Sequence, residues 1–188
     1  MRMTGSGDLE RRFKSKALSR STGRAKQGEA PVVSLTNRLE LRLVIGNDHG
    51  GFLLRGALLD VLTFWGYPFE DVGTSTDSPV DFPDIVKLAC QRIKNGLADR
   101  AILLGGTGVG ACIAANKVRG IRAAVCHDAF SARQCVEHDD VNVLCMGAWI
   151  IGSKTMEQIL ASFLTAQFST EEHFRRRVAK LDRMNEEV

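Results

Sequence analysis

The chain has 188 residues, 44% hydrophobic and 25% charged, which suffices for one domain with a sizeable core. No apolar run approaches the ~20 residues of a membrane helix, and the N-terminus lacks the apolar stretch of a secretory signal, so the composition excludes a membrane-spanning reading. The formal net charge of +3 belongs to the front of the chain: residues 1–40 carry nine Lys or Arg against four Asp or Glu, the rest 16 against 18, and the body gives no reason to expect nucleic acid.

Lys, Arg, Ser and Gly dominate residues 1–30, with little periodic hydrophobicity, and residues 1–40 read as a basic, disordered extension ahead of a domain at 41–188. Asp8 and Glu10 argue against organelle targeting. From Leu41 the signals alternate. Leu41–Asn47 reads as a strand, and Phe52–Trp65 has apolar residues at helical spacing. Tyr67–Val72 is a weaker strand, Phe82–Asn95 a helix and Ala101–Leu104 a strand. Val109–Val118 reads as a helix opened by glycines, Ile121–Cys126 as a strand, Ala129–His138 as a helix and Val141–Met146 as a strand. Two helices follow, near Lys154–Ala166 and Glu171–Glu187. Strands alternating with helices predict a three-layer α/β/α sandwich on a Rossmann-like five-stranded parallel sheet. Ligands in such sheets sit beyond the carboxyl ends of the strands. That rule gathers three segments at one mouth: Asn47-Asp-His-Gly-Gly51, Gly105–Gly110 and Cys126-His-Asp128.

The run Ala101-Ile-Leu-Leu-Gly-Gly-Thr-Gly-Val-Gly110 carries the most information. A buried strand, a glycine turn and a helix start make a cradle for an anion, because the backbone N–H groups point outward and glycines let a ligand approach. The spacing alone is a weak signal, since such turns are common in α/β proteins. The last helix carries Arg175, Arg176, Arg177, Lys180 and Arg183, either a solvated charged face or a source of one or two phosphate ligands. Five scattered cysteines without a CxxC pair give no support to zinc or thioredoxin chemistry and fit a reducing cytoplasm.

Taken together, Gly46-Asn-Asp-His-Gly50, Val80-Asp-Phe-Pro-Asp84, Gly106-Thr-Gly-Val-Gly110, Ala114-Ala-Asn-Lys-Val118, Gly120-Ile-Arg-Ala-Ala124, Glu137-His138 and Asn142-Val-Leu144 resemble the ribose-5-phosphate isomerase B family. That family includes the galactose-6-phosphate isomerase subunits, and the resemblance spans roughly Leu41 to Met184. It implies a dimeric or tetrameric enzyme with shared active sites and no metal or organic cofactor. The implied reaction interconverts an aldose and a ketose phosphate through a cis-enediolate, by default ribose 5-phosphate and ribulose 5-phosphate. The resemblance implies that Asp48 and His49 contact substrate, that the amides of Gly106, Gly108 and Gly110 and the hydroxyl of Thr107 stabilise the enediolate, and that His138 opens the sugar ring. It further implies that Asp139 stands beside that histidine where Asn is usual, that Asp81 packs beside the sugar, and that Arg177 binds phosphate across a subunit boundary.

Three positions depart from the pattern. Gly105 stands where many members carry the cysteine that moves the carbon-bound proton, and Ala111 where another branch carries a glutamate. Cys112 is the nearest ionisable group, with Asp48, Asp81 and His49 as other candidates for that role. Trp149 and His173 replace residues that are often phosphate-binding arginines. These departures open two alternatives: a different substrate, such as a tetrulose phosphate or a hexose 6-phosphate, or a non-catalytic or half-site homologue that binds sugar phosphate.

Overall fold

A computed structural model describes residues 40–185. The basic extension read at 1–40 lies outside that range except for its last residue, as does the end of the final predicted helix. Five parallel strands, β1 (Leu43–Asn47), β2 (Phe69–Asp71), β3 (Arg100–Gly105), β4 (Ala123–Val125) and β5 (Val143–Gly147), form one sheet in the order β2-β1-β3-β5-β4. Six helices connect or follow them: α1 (Phe52–Trp65), α2 (Phe82–Lys94), α3 (Val109–Ala115), α4 (Ala129–Asp139), α5 (Ser153–Thr165) and α6 (Glu172–Met184). The α/β/α sandwich expected from the sequence is the observed fold.

The three central strands are buried on both faces, which is why they read as unbroken apolar runs. Successive side chains point to opposite faces. Leu43, Ile45, Ile102, Leu104, Leu144 and Met146 join a core with α1, α4 and α5. Val44, Ala101, Leu103, Val143 and Cys145 join a second core with α2 and α3.

The edge strands are shorter than their sequence signals. Tyr67 is buried, but its amide bonds to the Leu62 carbonyl at the end of α1 rather than to the sheet. Asn116 stops α3 by pairing its side chain with both backbone groups of Ala123, each at 2.9 Å, so an amide side chain extends the edge of β4. A helix predicted to Val118 therefore ends at Ala115.

The strand order creates the site. β1 and β3 are neighbours, yet α1 leaves β1 toward one face and α3 leaves β3 toward the other. A crevice opens where the two chains part. Its floor is glycine packed on backbone. A Cβ on Gly50 would lie 2.9 Å from the Gly106 nitrogen, and one on Gly51 would overlap the Leu104 carbonyl oxygen. Asp48 fixes this contact twice: its amide donates to Leu104 O at 3.3 Å, and its carboxylate accepts from the Gly51 amide at 2.8 Å.

Two glycines five positions apart, Gly51 and Gly56, should thus respond in opposite ways. Gly51→Ala forces the two loops apart and lowers unfolding free energy by about 3 kcal/mol in denaturant titration. Gly56→Ala, in α1 with nothing within 4 Å of the new methyl, raises it by about 0.5–1 kcal/mol. Equal effects would contradict this account of the floor.

Candidate active site

The crevice is a pocket of about 170 Å³ lined by Asp48, His49, Gly50, Phe82, Gly105–Gly108, Gly110, Ala111 and Trp149. Thus the structure brings together six of the site residues expected from the sequence: Asp48, His49, Gly106, Thr107, Gly108 and Gly110. The amides of Gly106, Thr107 and Gly108 donate no hydrogen bond among the described residues, so the loop presents polar hydrogens to the pocket. Gly108 adopts φ of 78°, and a Cβ there would lie 3.0 Å from the Met146 carbonyl carbon, so only glycine turns the loop this way.

Other residues hold the first loop. Asn47, 2% exposed, donates through Nδ2 to the carbonyls of Asp48 (3.0 Å) and Thr74 (3.1 Å). His49 Nδ1 accepts from the Val80 amide at 3.4 Å, which assigns the ring proton to Nε2 in the neutral imidazole. The third segment of the predicted mouth supports the cradle from behind. His127 Nε2 accepts from the Gly147 amide at 3.0 Å, and Gly147 packs on Thr107. Asp128 caps α4, its carboxyl held below the usual range chiefly by the amide and hydroxyl of Ser131 at 2.8 and 2.7 Å.

Trp149 forms one wall. Its amide donates to the Gly106 carbonyl at 3.0 Å, and its six-membered ring covers Gly106, where a Cβ would meet it at 2.7 Å. Phe82 forms another wall beside Gly105. The sequence marks Trp149 as a site position through the arginine it replaces, whereas the Phe82 wall beside Gly105 and the anchoring of the first loop by Asn47 were not legible as site features. The signal available was a lone amide ending an apolar strand.

The remaining expected site residues lie elsewhere. Asp81 stands at the N-cap of α2, next to Phe82, with an exposed side chain that does not line the pocket. His138 and Asp139 end α4, three residues before Asn142, whose carbonyl pairs with the Ala101 amide at the start of β3. They therefore sit at the amino end of the sheet, roughly 17 Å of strand away from the cradle at about 3.3 Å per residue. There His138 stacks on Phe174 of α6 with centroids 3.9 Å apart, His173 leans on the same ring, and Arg177 lies over it at 6.0 Å. His173 also approaches Glu171 at 3.4 Å. Arg176 is paired with Glu172, whereas Arg177 has no ion pair among the described residues. One chain thus carries an amide cradle at one end of its sheet and a histidine–arginine cluster at the other.

An amide-lined cradle at the switch point of a five-stranded parallel sheet defines an α/β ligand-binding protein of the doubly wound class. The comparisons narrow this. The family described as Ribose/Galactose Isomerase matches residues 43–181. A D-erythrulose-4-phosphate isomerase of Pectobacterium atrosepticum is 37% identical over 133 residues, 68% of this chain and 85% of that one. The ribose-5-phosphate isomerase B of Escherichia coli K12 is 36% identical over 135 residues, 72% of this chain and 91% of that one. The solved structure of Clostridium thermocellum ribose-5-phosphate isomerase B superposes with a TM-score of 0.76 at 38% identity, covering 78% of this chain and 99% of that one. The chain belongs to the ribose/galactose isomerase family and is an enzyme of the sugar phosphate isomerase type.

Cys112 follows the cradle in sequence but faces away from it. Its sulfur lies 3.3 Å from the Ala123 carbonyl and 3.5 Å from Asn116 Nδ2, on the β4 side of α3. A hydrogen bond from the Cys145 thiol, and weaker ones from the Val125 amide and Asn116, outweigh partial burial and lower its pKa to about 7. Burial pushes the Cys90 thiol up to about 11. Because the thiolate is the nucleophile, alkylation of the native protein by iodoacetamide should reach Cys112 before Cys90, with a rate that climbs as pH rises through about 7. Peptide mass spectrometry reads the order, and labelling of Cys90 first would contradict it.

Proposed function

We propose that the protein is a cofactor-independent aldose–ketose isomerase of a small sugar phosphate, with ribose 5-phosphate and ribulose 5-phosphate as the default pair. The observation that carries this reading is the set of unpaired amides at Gly106, Thr107 and Gly108 beside Asp48 and His49. A proton shift between C1 and C2 passes through an enediolate, and preorganised N–H donors lower the cost of its oxyanion. Thr107 adds a hydroxyl, and His49 offers Nε2–H to a second oxygen.

In this reading the site is completed by a second copy of the chain. The cradle of one chain has no Lys or Arg in its lining, so nothing there balances a phosphate dianion. His138, Asp139, His173 and Arg177 supply ring opening and phosphate contacts from the partner. An apolar rim favours such an interface: Leu53, Val109, Phe130, Trp149 and Ile150, all within a few residues of a strand's carboxyl end, are at least half exposed. Each homodimer, alone or as half of a tetramer, would then hold two equivalent shared sites. The cysteines, none in a disulfide among the described residues, suit a cytoplasmic location.

Gly105 stands where the usual catalytic cysteine is expected, and Trp149 and His173 alter the phosphate contacts. The second set of changes motivates a different sugar phosphate, a tetrulose phosphate or a hexose 6-phosphate, as the alternative substrate, and a D-erythrulose-4-phosphate isomerase is among the relatives.

Purified protein should convert ribose 5-phosphate or D-erythrulose 4-phosphate to its isomer in deuterated water with deuterium entering the transferred position. Binding of both sugars without exchange would instead favour the non-catalytic homologue. Asp48→Asn and His138→Asn should each be nearly inactive alone. Mixed and re-associated as two-fold dimers, they should recover about a quarter of wild-type activity, because half of the dimers carry one intact site. No recovery, with heterodimers present, would contradict a site shared between chains.

A further inference from the structure

The proposed isomerisation needs a group that takes a proton from carbon, and the two positions flanking the cradle that could hold one are empty of such groups. Gly105 has no side chain, and the place of its Cβ is closed by the Phe82 ring at 3.1 Å. Ala111 offers only a methyl group and is 1% exposed. Cys112 is turned to the far side of α3. Among the pocket-lining residues, the groups able to exchange a proton are therefore Asp48, His49 and Thr107.

Their hydrogen bonds separate them. His49 spends Nδ1 on the Val80 amide, which leaves Nε2–H as the donor it can offer. Thr107 Oγ1 accepts from the Val109 amide at 3.4 Å, and a hydroxyl is a poor base near neutral pH. Asp48 has one carboxylate oxygen, Oδ1, on the Gly51 amide, and Oδ2 makes no hydrogen bond among the described residues. Asp48 and Gly106 line the same pocket and both flank Gly50, where an added Cβ would stand 3.3 Å from Asp48 Oδ1 and 2.9 Å from the Gly106 nitrogen. A carboxylate and an oxyanion donor thus border one pocket at the same glycine. That is the arrangement a base needs: an oxygen held by the amide puts the adjacent carbon next to the carboxylate.

Resting on the isomerase reading above, we propose that Asp48 is the carbon base of this chain, with His49 as the acid that serves the substrate oxygens. Asp48 Oδ2 removes the proton from C2 of the open-chain aldose phosphate. The C2–H electron pair becomes the C1–C2 π bond, and the carbonyl pair moves to O1, where the Gly106 amide receives the charge. His49 Nε2–H protonates O1 and takes the proton from O2, ending in its starting state. The O2 pair forms the new carbonyl, and the C1–C2 π pair takes the proton back from Asp48 onto C1. Atoms and electrons balance with no other reactant.

Asp48→Asn isolates this role, because the asparagine Oδ1 can still accept from the Gly51 amide and keep the turn. With ribose 5-phosphate and D-erythrulose 4-phosphate as probes, the variant should lose about a thousandfold in kcat and in deuterium uptake, with KM within a few-fold of wild type. Cys112→Ser should keep wild-type kcat. A measurement on the wild-type chain does not depend on the variant folding: a 1-haloketone phosphate should esterify Asp48 at a carboxylate oxygen with loss of halide, as read by peptide mass spectrometry. Asp48→Asn that exchanges at a rate close to wild type, loss of exchange in Cys112→Ser, or label on Asp81, Asp139 or Cys112 in place of Asp48 would each overturn the assignment. A wild-type protein that exchanges with neither sugar would defeat the isomerase reading itself, which is a different result from an active wild type matched by its Asp48 variant.

Discussion

The contact on which this structure turns is backbone against backbone, between the Gly50–Gly51 turn after β1 and residues 104–106 at the end of β3. The turn brings no side chain to it, so the two segments approach closely enough for the free amides of one to face the carboxylate of the other. The sheet order makes the approach necessary. Adjacent strands send their chains to opposite faces, and only glycine lets the departing segments touch without forcing the strands apart. Asp48 both fixes this contact and enters the pocket it creates, so fold and chemistry meet at one residue.

The same topology divides the charges. A parallel crossover must return each helix to the amino end of the sheet before the next strand begins. The end of α4 therefore lies far from the cradle, and α6 packs beside it there, so a cationic and imidazole cluster gathers around Phe174. A cradle without cations and a cation cluster without a cradle are complementary halves. In the shared-site reading proposed above, symmetric pairing of two chains would combine them. Trp149, which covers Gly106 and is 68% exposed, would then also face the neighbour.

The sequence made the central strands, α1 and the glycine loop readable because each has a strong local cause: apolar runs buried on both faces, helical spacing, and glycines where only glycine fits. The edges were less legible. β2 and β4 pair on one side only, and whether Tyr67 joins the sheet or Asn116 ends a helix depends on partners far along the chain. Within the site, Asp48, His49 and the loop from Gly106 to Gly110 converge because all follow adjacent strands. The outward turn of Cys112, the Val80 amide on His49 and the ring of Phe82 beside Gly105 are set by tertiary packing, and no spacing rule reports them. The distance between His138 and the cradle was implicit in the topology, since the end of a crossover helix lies opposite its beginning.

The central claim is that main-chain amides at the exit of β3 receive the charged oxygen of a bound sugar phosphate. The most direct measurement is the ¹⁵N–¹H spectrum of the protein titrated with ribose 5-phosphate and, separately, with a hydroxamate analogue of its enediolate. The account predicts the largest shifts at the amides of Gly106, Thr107 and Gly108, greater for the analogue than for the sugar. Saturable binding of both ligands with those three signals unmoved, and the shifts gathered elsewhere on the surface, would contradict it.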